Sequence, residues 1–211
     1  MQKLPQHQCL IYKGSPSKNL PALTATIGQR LSKDFRCFYL NNPAMISAIK
    51  YSLSKSGVHV EEQIEQNHLV LSSDQKHLVA GSFDIDRMLE MLDDALNQAL
   101  RDGYKGLWAS GDMTWEFGAE RNFDKLLEYE WRLEEYFRSH PALAGICQYH
   151  ADTLPPEIIR QGVVAHPAIF LNDTLSRINP QFLEPKSYTK QTADSSALNN
   201  TVECLCGAAP N

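Results

Sequence analysis

Residues 84–112 read DIDRMLEMLDDALNQALRDGYKGLWASGD, and this stretch decides the fold. Ile85, Met88, Leu89, Leu92, Ala95, Leu96, Ala99 and Leu100 recur at the 3.6-residue period of a helix with one buried face. Gly81-Ser82 and Asp84 open that helix and Gly103 closes it. Gly106 to Ala109 then form a short apolar run that ends at Gly111-Asp112-Met113-Thr114-Trp115. Too short for a helix and apolar on both faces, that run reads as a strand buried on both sides.

The same alternation extends in both directions. Upstream, Cys9-Leu10-Ile11-Tyr12 reads as a strand, and 19–33 as a helix carrying Leu20, Leu23, Ile27 and Leu31. Arg36 to Leu40 is a strand, and Asn41-Asn42-Pro43 starts a helix that stops near Gly57. His68 to Ser72 is a third strand. Downstream, 123–139 reads as a helix, 144–149 as a strand, Pro155-Pro156 as a helix start, and 168–171 as a last strand. The expected class is α/β: three layers, a mostly parallel sheet with helices on both faces. Residues 7–173 form the domain. Residues 174–211 are an extension, and 186–211, rich in Ser, Thr, Asn and Ala without an apolar period, read as a flexible tail.

Composition bounds the function classes. A chain of 211 residues holds one domain with a sizeable core. The net charge of −5, with no cluster of lysine and arginine, argues against direct nucleic-acid binding. No apolar run reaches the roughly 20 residues of a membrane span, and residues 1–5 lack a signal core, so a cytoplasmic, non-membrane protein is expected. Cys9, Cys37 and Cys147 fall inside buried strands and read as small structural hydrophobes. The odd total of five cysteines argues against a disulfide framework.

Ligands of open α/β sheets bind beyond the carboxyl ends of the strands. Tyr12-Lys13-Gly14, Asn41-Asn42, Ser72-Ser73, Gly111 to Trp115 and Gln148-Tyr149-His150 would converge there. Asp112 can cap its own turn or serve as a metal ligand, base or ligand anchor. Trp108 reads as core, whereas Trp115, past the strand end, could line a pocket. Glu130 shares a helical face with Leu126, Leu133 and Phe137. Burying that carboxylate unpaired would cost several kcal/mol, so it needs a partner, a raised pKa or a place at the stripe's wet margin; the partner is backbone or Tyr149, or the carboxylate anchors a ligand in a pocket. His7-Gln8-Cys9 and Cys147-Gln148-Tyr149-His150 offer possible metal ligands without the spacing of a zinc knuckle, and Cys204-Leu205-Cys206 is a weaker candidate. No metal or other cofactor is expected. Lys13-Gly14-Ser15-Pro16-Ser17-Lys18 stands where a phosphate loop would, but it lacks the second glycine and the Lys-Ser/Thr pair, and Pro16 removes an amide.

Several segments together resemble the methanogen/methylotroph, DcmR sensory (MEDS) domain family. They are His7-Gln8-Cys9-Leu10-Ile11-Tyr12, Arg36-Cys37-Phe38-Tyr39-Leu40, Gly103-Tyr104-Lys105-Gly106-Leu107, Gly111 to Trp115, Leu127-Glu128-Tyr129-Glu130, Cys147-Gln148-Tyr149 and His166-Pro167. The resemblance implies a RecA/KaiC-like fold without a functional P-loop. It also implies a non-catalytic sensory role in prokaryotic signal transduction or transcription regulation, with a simple hydrocarbon derivative as ligand. It nominates His7, Tyr12, Asp112, Trp115, Tyr129, Glu130, Gln148 and Tyr149 as ligand-binding or signature residues. Family members often adjoin a DNA-binding or kinase domain. With no room for one here, output is expected through a protein partner or self-association. Two alternatives stay open: a RecA-like nucleotide-binding protein or enzyme using Asp112 or Glu130, and a protein-interaction regulatory subunit.

Overall fold

A computed structural model describes residues 5–119, 121–184 and 195–207. Its centre is a seven-stranded sheet built from β1 (His7–Tyr12), β2 (Phe35–Leu40), β3 (Leu69–Ser72), β6 (Gly106–Asp112), β7 (Leu143–His150), β8 (Ala168–Asn172) and β9 (Leu175–Ile178). The order across the sheet is β3-β2-β6-β7-β1-β8-β9, and every pairing is parallel except β8 with β9. A two-stranded hairpin, β4 (Leu78–Val79) and β5 (Ser82–Phe83), stands apart from it.

Strand alternation divides the core in two. One face carries Cys9, Ile11, Leu107, Cys147 and Tyr149; the other carries Leu10, Tyr12, Cys37, Tyr39, Trp108, Ala144 and Ile146. The second face is covered by α1 (Leu20–Leu31), α2 (Pro43–Lys55) and α3 (Val60–Glu65) through Leu23, Ile27, Ile49, Leu53 and Val60. The first is covered by α4 (Ile85–Arg101), α6 (Leu126–Ser139) and α7 (Pro156–Ala165). In α4, Met88, Leu92, Ala95, Leu96 and Ala99 are buried, Asp84 caps the first turn by accepting from Arg87 N, and Gly103 turns the chain at φ +88°. The three-layer reading of 84–112 is the observed one, and Trp108 is core at 1% exposure.

Four differences from the sequence reading have physical causes. The helix expected from 123 begins at Leu126, because Asn122 and Asp124 form a side-chain turn instead. Met113 to Glu116 form a one-turn helix, α5, where only a strand end was expected. Ala168–Asn172 is not the last strand: β9 returns beside it, turned by Asn172 Oδ1, which accepts from the amide of Thr174. Within the segment read as a flexible tail, Ser195–Gly207 form helix α8, whose Leu198 is buried against α7 and β1. The rest of that segment lies outside the described residues. No described helix is long and apolar enough to cross a membrane.

Candidate functional site

A buried polar cluster sits on the α6–α7 face of the sheet. The parallel pairing of β1 with β7 sets His7 opposite Gly145 and Cys9 opposite Cys147, so His7 and Cys147 project to one face two residues apart along the pair. From above, α6 lowers Glu130 onto them. From the side, the chain leaving α7 places His166 as its terminal cap, just before Pro167. His7, Glu130 and His166 are at most 1% exposed and Cys147 is 7% exposed, so the cluster is dry.

Contacts within it are short and mutual. Glu130 Oε2 lies 3.4 Å from His7 Nε2, 3.4 Å from His166 Nε2 and 3.7 Å from the Cys147 sulfur. The Cys147 sulfur lies 3.5 Å from His7 Nε2. The other carboxylate oxygen, Oε1, accepts a short hydrogen bond from the Tyr149 hydroxyl. Each imidazole is held from behind: His7 Nδ1 donates to Glu134 Oε2 at 3.0 Å, and His166 Nδ1 donates to the carbonyl of Gly162 at 2.7 Å. Phe137 stacks on the His7 ring at 4.7 Å, and the His7 and His166 rings are 4.1 Å apart.

Burial and charge set the protonation of these groups. Burial alone would lower the His7 pKa, but the Glu130 and Glu134 carboxylates outweigh it and raise it. For Glu130 the opposite holds: burial pushes its carboxyl up, and His7 and the Tyr149 hydroxyl bring it below the ordinary value. Burial, then the charge of His7, drop His166 to about 4. The Cys147 thiol is driven well above its usual value by burial and then by Glu130. At neutral pH the cluster therefore holds an ionised Glu130, a neutral His166 and a protonated thiol. The Gly162 carbonyl can only accept, so the proton of neutral His166 is on Nδ1 and the Nε2 lone pair faces the Glu130 carboxylate. His166 Nε2 is buried and has no hydrogen-bond partner.

The cluster lies just under the surface. A cavity of about 270 Å³ has His7, Glu134, Phe137, Arg138 and Pro167 in its lining. Glu134 links the two zones: it takes His7 with one oxygen and Arg138 Nε, at 2.6 Å, with the other.

The eight nominated residues do not form one pocket, because the sheet separates them. His7, Glu130 and Tyr149 meet in this cluster. Tyr129, one residue before Glu130, is buried and bonds Glu116 instead. On the opposite face the Tyr12 hydroxyl donates to Asp112 Oδ2 at 3.4 Å, and His150 stacks on the Tyr12 ring at 4.9 Å. Asp112 Oδ1 accepts from Trp115 N at 3.0 Å and so caps α5. Gln148 donates to Ser110 Oγ at 2.9 Å. Trp115 packs its ring edge-on against His77 at 5.3 Å. The capping reading of Asp112 is the observed one, and its second oxygen accepts from Tyr12. Burial raises its pKa against those two bonds.

Cys147, His166 and Glu134 were not nominated. Cys147 reads from sequence as a buried hydrophobe or as one of a possible ligand pair, and it lies two residues before Tyr149 on the same strand face. Glu134 follows Glu130 by one helical turn, a second carboxylate on an apolar stripe. His166 enters the sequence reading only through the His166-Pro167 segment of the family resemblance. The possible ligand pairs His7–Cys9 and Cys147–His150 are not the ones the fold joins; it takes His7 and Cys147, one from each.

The chain matches the family model described as "MEthanogen/methylotroph, DcmR Sensory domain" over residues 6–167. That span begins one residue before His7 and ends one residue after His166, so it encloses the whole cluster. No curated protein matches the chain.

Proposed function

Because the chain belongs to the MEDS sensory-domain family, we propose that it is a non-catalytic sensory module that binds a small molecule and relays binding to a protein partner or a second copy of itself. The observation that carries this reading is the dry cluster of His7, Glu130, Cys147, Tyr149 and His166. A fold gains little from such a group: buried ion pairs are often no better for stability than well-packed hydrophobic side chains of the same volume. The cavity beside His7 and Glu134 gives a small ligand a way in. A simple hydrocarbon derivative, the ligand class implied by the family resemblance, suits walls made by Phe137 and Pro167 with one charged corner. Signalling in the cytoplasm of a prokaryote, without direct contact to nucleic acid or membrane, completes the proposal.

The nucleotide-binding alternative has less support. Both oxygens of Asp112 are engaged, and the amide of Gly14, which a phosphate would need, donates to Asp152 Oδ2 at 2.7 Å. A RecA/KaiC-like scaffold whose phosphate loop now serves an internal contact fits these features.

Thermal-shift measurements against one-carbon and halogenated compounds test the reading. A ligand-dependent rise in melting temperature that Glu130→Gln abolishes is expected. A flat response across the panel would overturn it.

A further inference from the structure

We propose that His7, Glu130, Cys147 and His166 form a closed four-ligand site for one divalent transition-metal ion of the zinc class. The proposal goes beyond the sensory reading: it stands on the geometry of the cluster and not on the binding of an organic ligand.

Four of the six ligand-atom separations come close to those of a tetrahedral ion, and the remaining two close in on binding. Zinc bonds of about 2.0–2.2 Å to nitrogen and oxygen and about 2.3 Å to sulfur put neighbouring tetrahedral ligand atoms about 3.3–3.6 Å apart. The separations found here are 3.4 Å for His7 and Glu130, 3.4 Å for His166 and Glu130, 3.5 Å for His7 and Cys147, and 3.7 Å for Cys147 and Glu130. All four ligand atoms lie within 4.8 Å of one another.

The surroundings agree as well. Metal-binding histidines characteristically donate their second ring N–H to a carboxylate or a backbone carbonyl. His7 does so to Glu134 and His166 to Gly162, which turns both Nε2 atoms toward the shared centre. Tyr149 holds the free oxygen of Glu130 and leaves Oε2 for an ion. The unpartnered His166 Nε2 is the independent sign: a buried lone pair facing a carboxylate is repulsive, and a cation between them removes the repulsion.

Charge balances too. A divalent ion with one thiolate and one carboxylate is neutral, the state a dry site favours. Uptake releases the Cys147 thiol proton and any proton on His7 Nε2 to solvent, with no change of oxidation state. Four protein ligands leave no open position, as in structural rather than catalytic zinc sites. Thiolate and imidazole together select zinc-class ions over magnesium or calcium.

The test is titration of the chelator-treated full-length chain with Co(II), then competition by Zn(II). One equivalent of Co(II) should give intense visible bands of tetrahedral cobalt and a sulfur-to-cobalt charge-transfer band, both bleached by Zn(II). Cys147→Ser should lose the charge-transfer band, and His166→Gln should lose the tetrahedral spectrum. Glu134→Gln, one bond removed from the ion, should weaken binding by about 10–100-fold while keeping the spectrum. The double substitution of Cys204 and Cys206 by serine should change nothing. Circular dichroism checks that each variant is folded, and Glu134→Gln serves if a ligand variant is not. Absence of stoichiometric cobalt uptake, or a charge-transfer band that survives Cys147→Ser, would overturn the proposal. The two readings fail separately. Organic ligands that stabilise the chelated protein without cobalt binding would sink the metal site alone, whereas cobalt binding with a flat organic panel would sink small-molecule sensing alone.

Discussion

The Tyr149 ring lies so close to the backbone of Gly162 that a Cβ on residue 162 would stand 2.6 Å from Tyr149 Cε1. Tyr149 is fully buried and tied by its hydroxyl to Glu130, so the ring has no room to retreat. Alanine in mid-helix gains about 1 kcal/mol over glycine in propensity, but overpacking a rigid core costs about 1–3 kcal/mol. Gly162→Ala should therefore be destabilising on balance, seen as a lower midpoint in urea unfolding. A midpoint at or above wild type would show that α7 is free to move off the sheet.

Asp112 should reveal its double role through two substitutions. Asp112→Ala removes the α5 cap and the acceptor of Tyr12, and loss of the cap alone costs about 0.5–2 kcal/mol. Asp112→Asn keeps an oxygen for Trp115 N and should recover most of that loss. Equal destabilisation by both, in denaturant unfolding, would mean that the charge and not the cap matters.

Glu116 should make stability fall as pH rises. Burial first, then the Glu130 and Asp112 carboxylates, hold its carboxyl well above the ordinary value. An unfolded glutamate loses its proton near about 4.3. Above that pH the folded chain binds more protons than the unfolded one, so this group's contribution declines with pH through its raised folded value. Glu116→Gln should remove that slope, gaining on wild type at about pH 8 more than at about pH 5. Unfolding curves for both proteins at the two pH values measure this. An unchanged difference between them would contradict the assignment.

Leu198 should anchor α8. It is 4% exposed within the α6–α7 core, and a packed leucine cut back to alanine costs about 2–5 kcal/mol. Leu198→Ala should fall at the low end of that range, because α8 packs mainly on α7 and β1. A change within error of zero in thermal unfolding would mean that the helix carries none of the domain's stability.

The fold was legible wherever one period dominated. The stripe from Ile85 to Leu100 and the two-sided runs at Cys9, Cys37, Leu107 and Ile146 fix helices and buried strands by local pattern alone. Local pattern has no hold on α8, whose Leu198 is buried only because α7 and β1 are already there, or on β9, which exists as a partner to β8. At the site, Glu130 stood out because a carboxylate on an apolar stripe demands a partner, and Tyr149 was correctly named as one. His166 could not be read in the same way. Its neighbours His7 and Glu130 come from distant segments, and only the β1–β7 register and the end of α7 bring them together. The strand-end rule pointed to Asp112 and Tyr12, whereas His7 sits at the start of its strand, on the other face.

His7 opens the first strand and His166 follows the last helix of the family segment, so the two rings, 4.1 Å apart, form a clasp between its ends. On the metal-site proposal, an ion held between them would act as a reversible cross-link around nearly the whole domain, disfavouring partly unfolded states in which the two ends separate. Occupancy would then be felt along β1 and α7, in their resistance to local opening. Helix α8 rests on those same two elements. Helix α8 would thereby be mechanically tied to whatever closes the clasp.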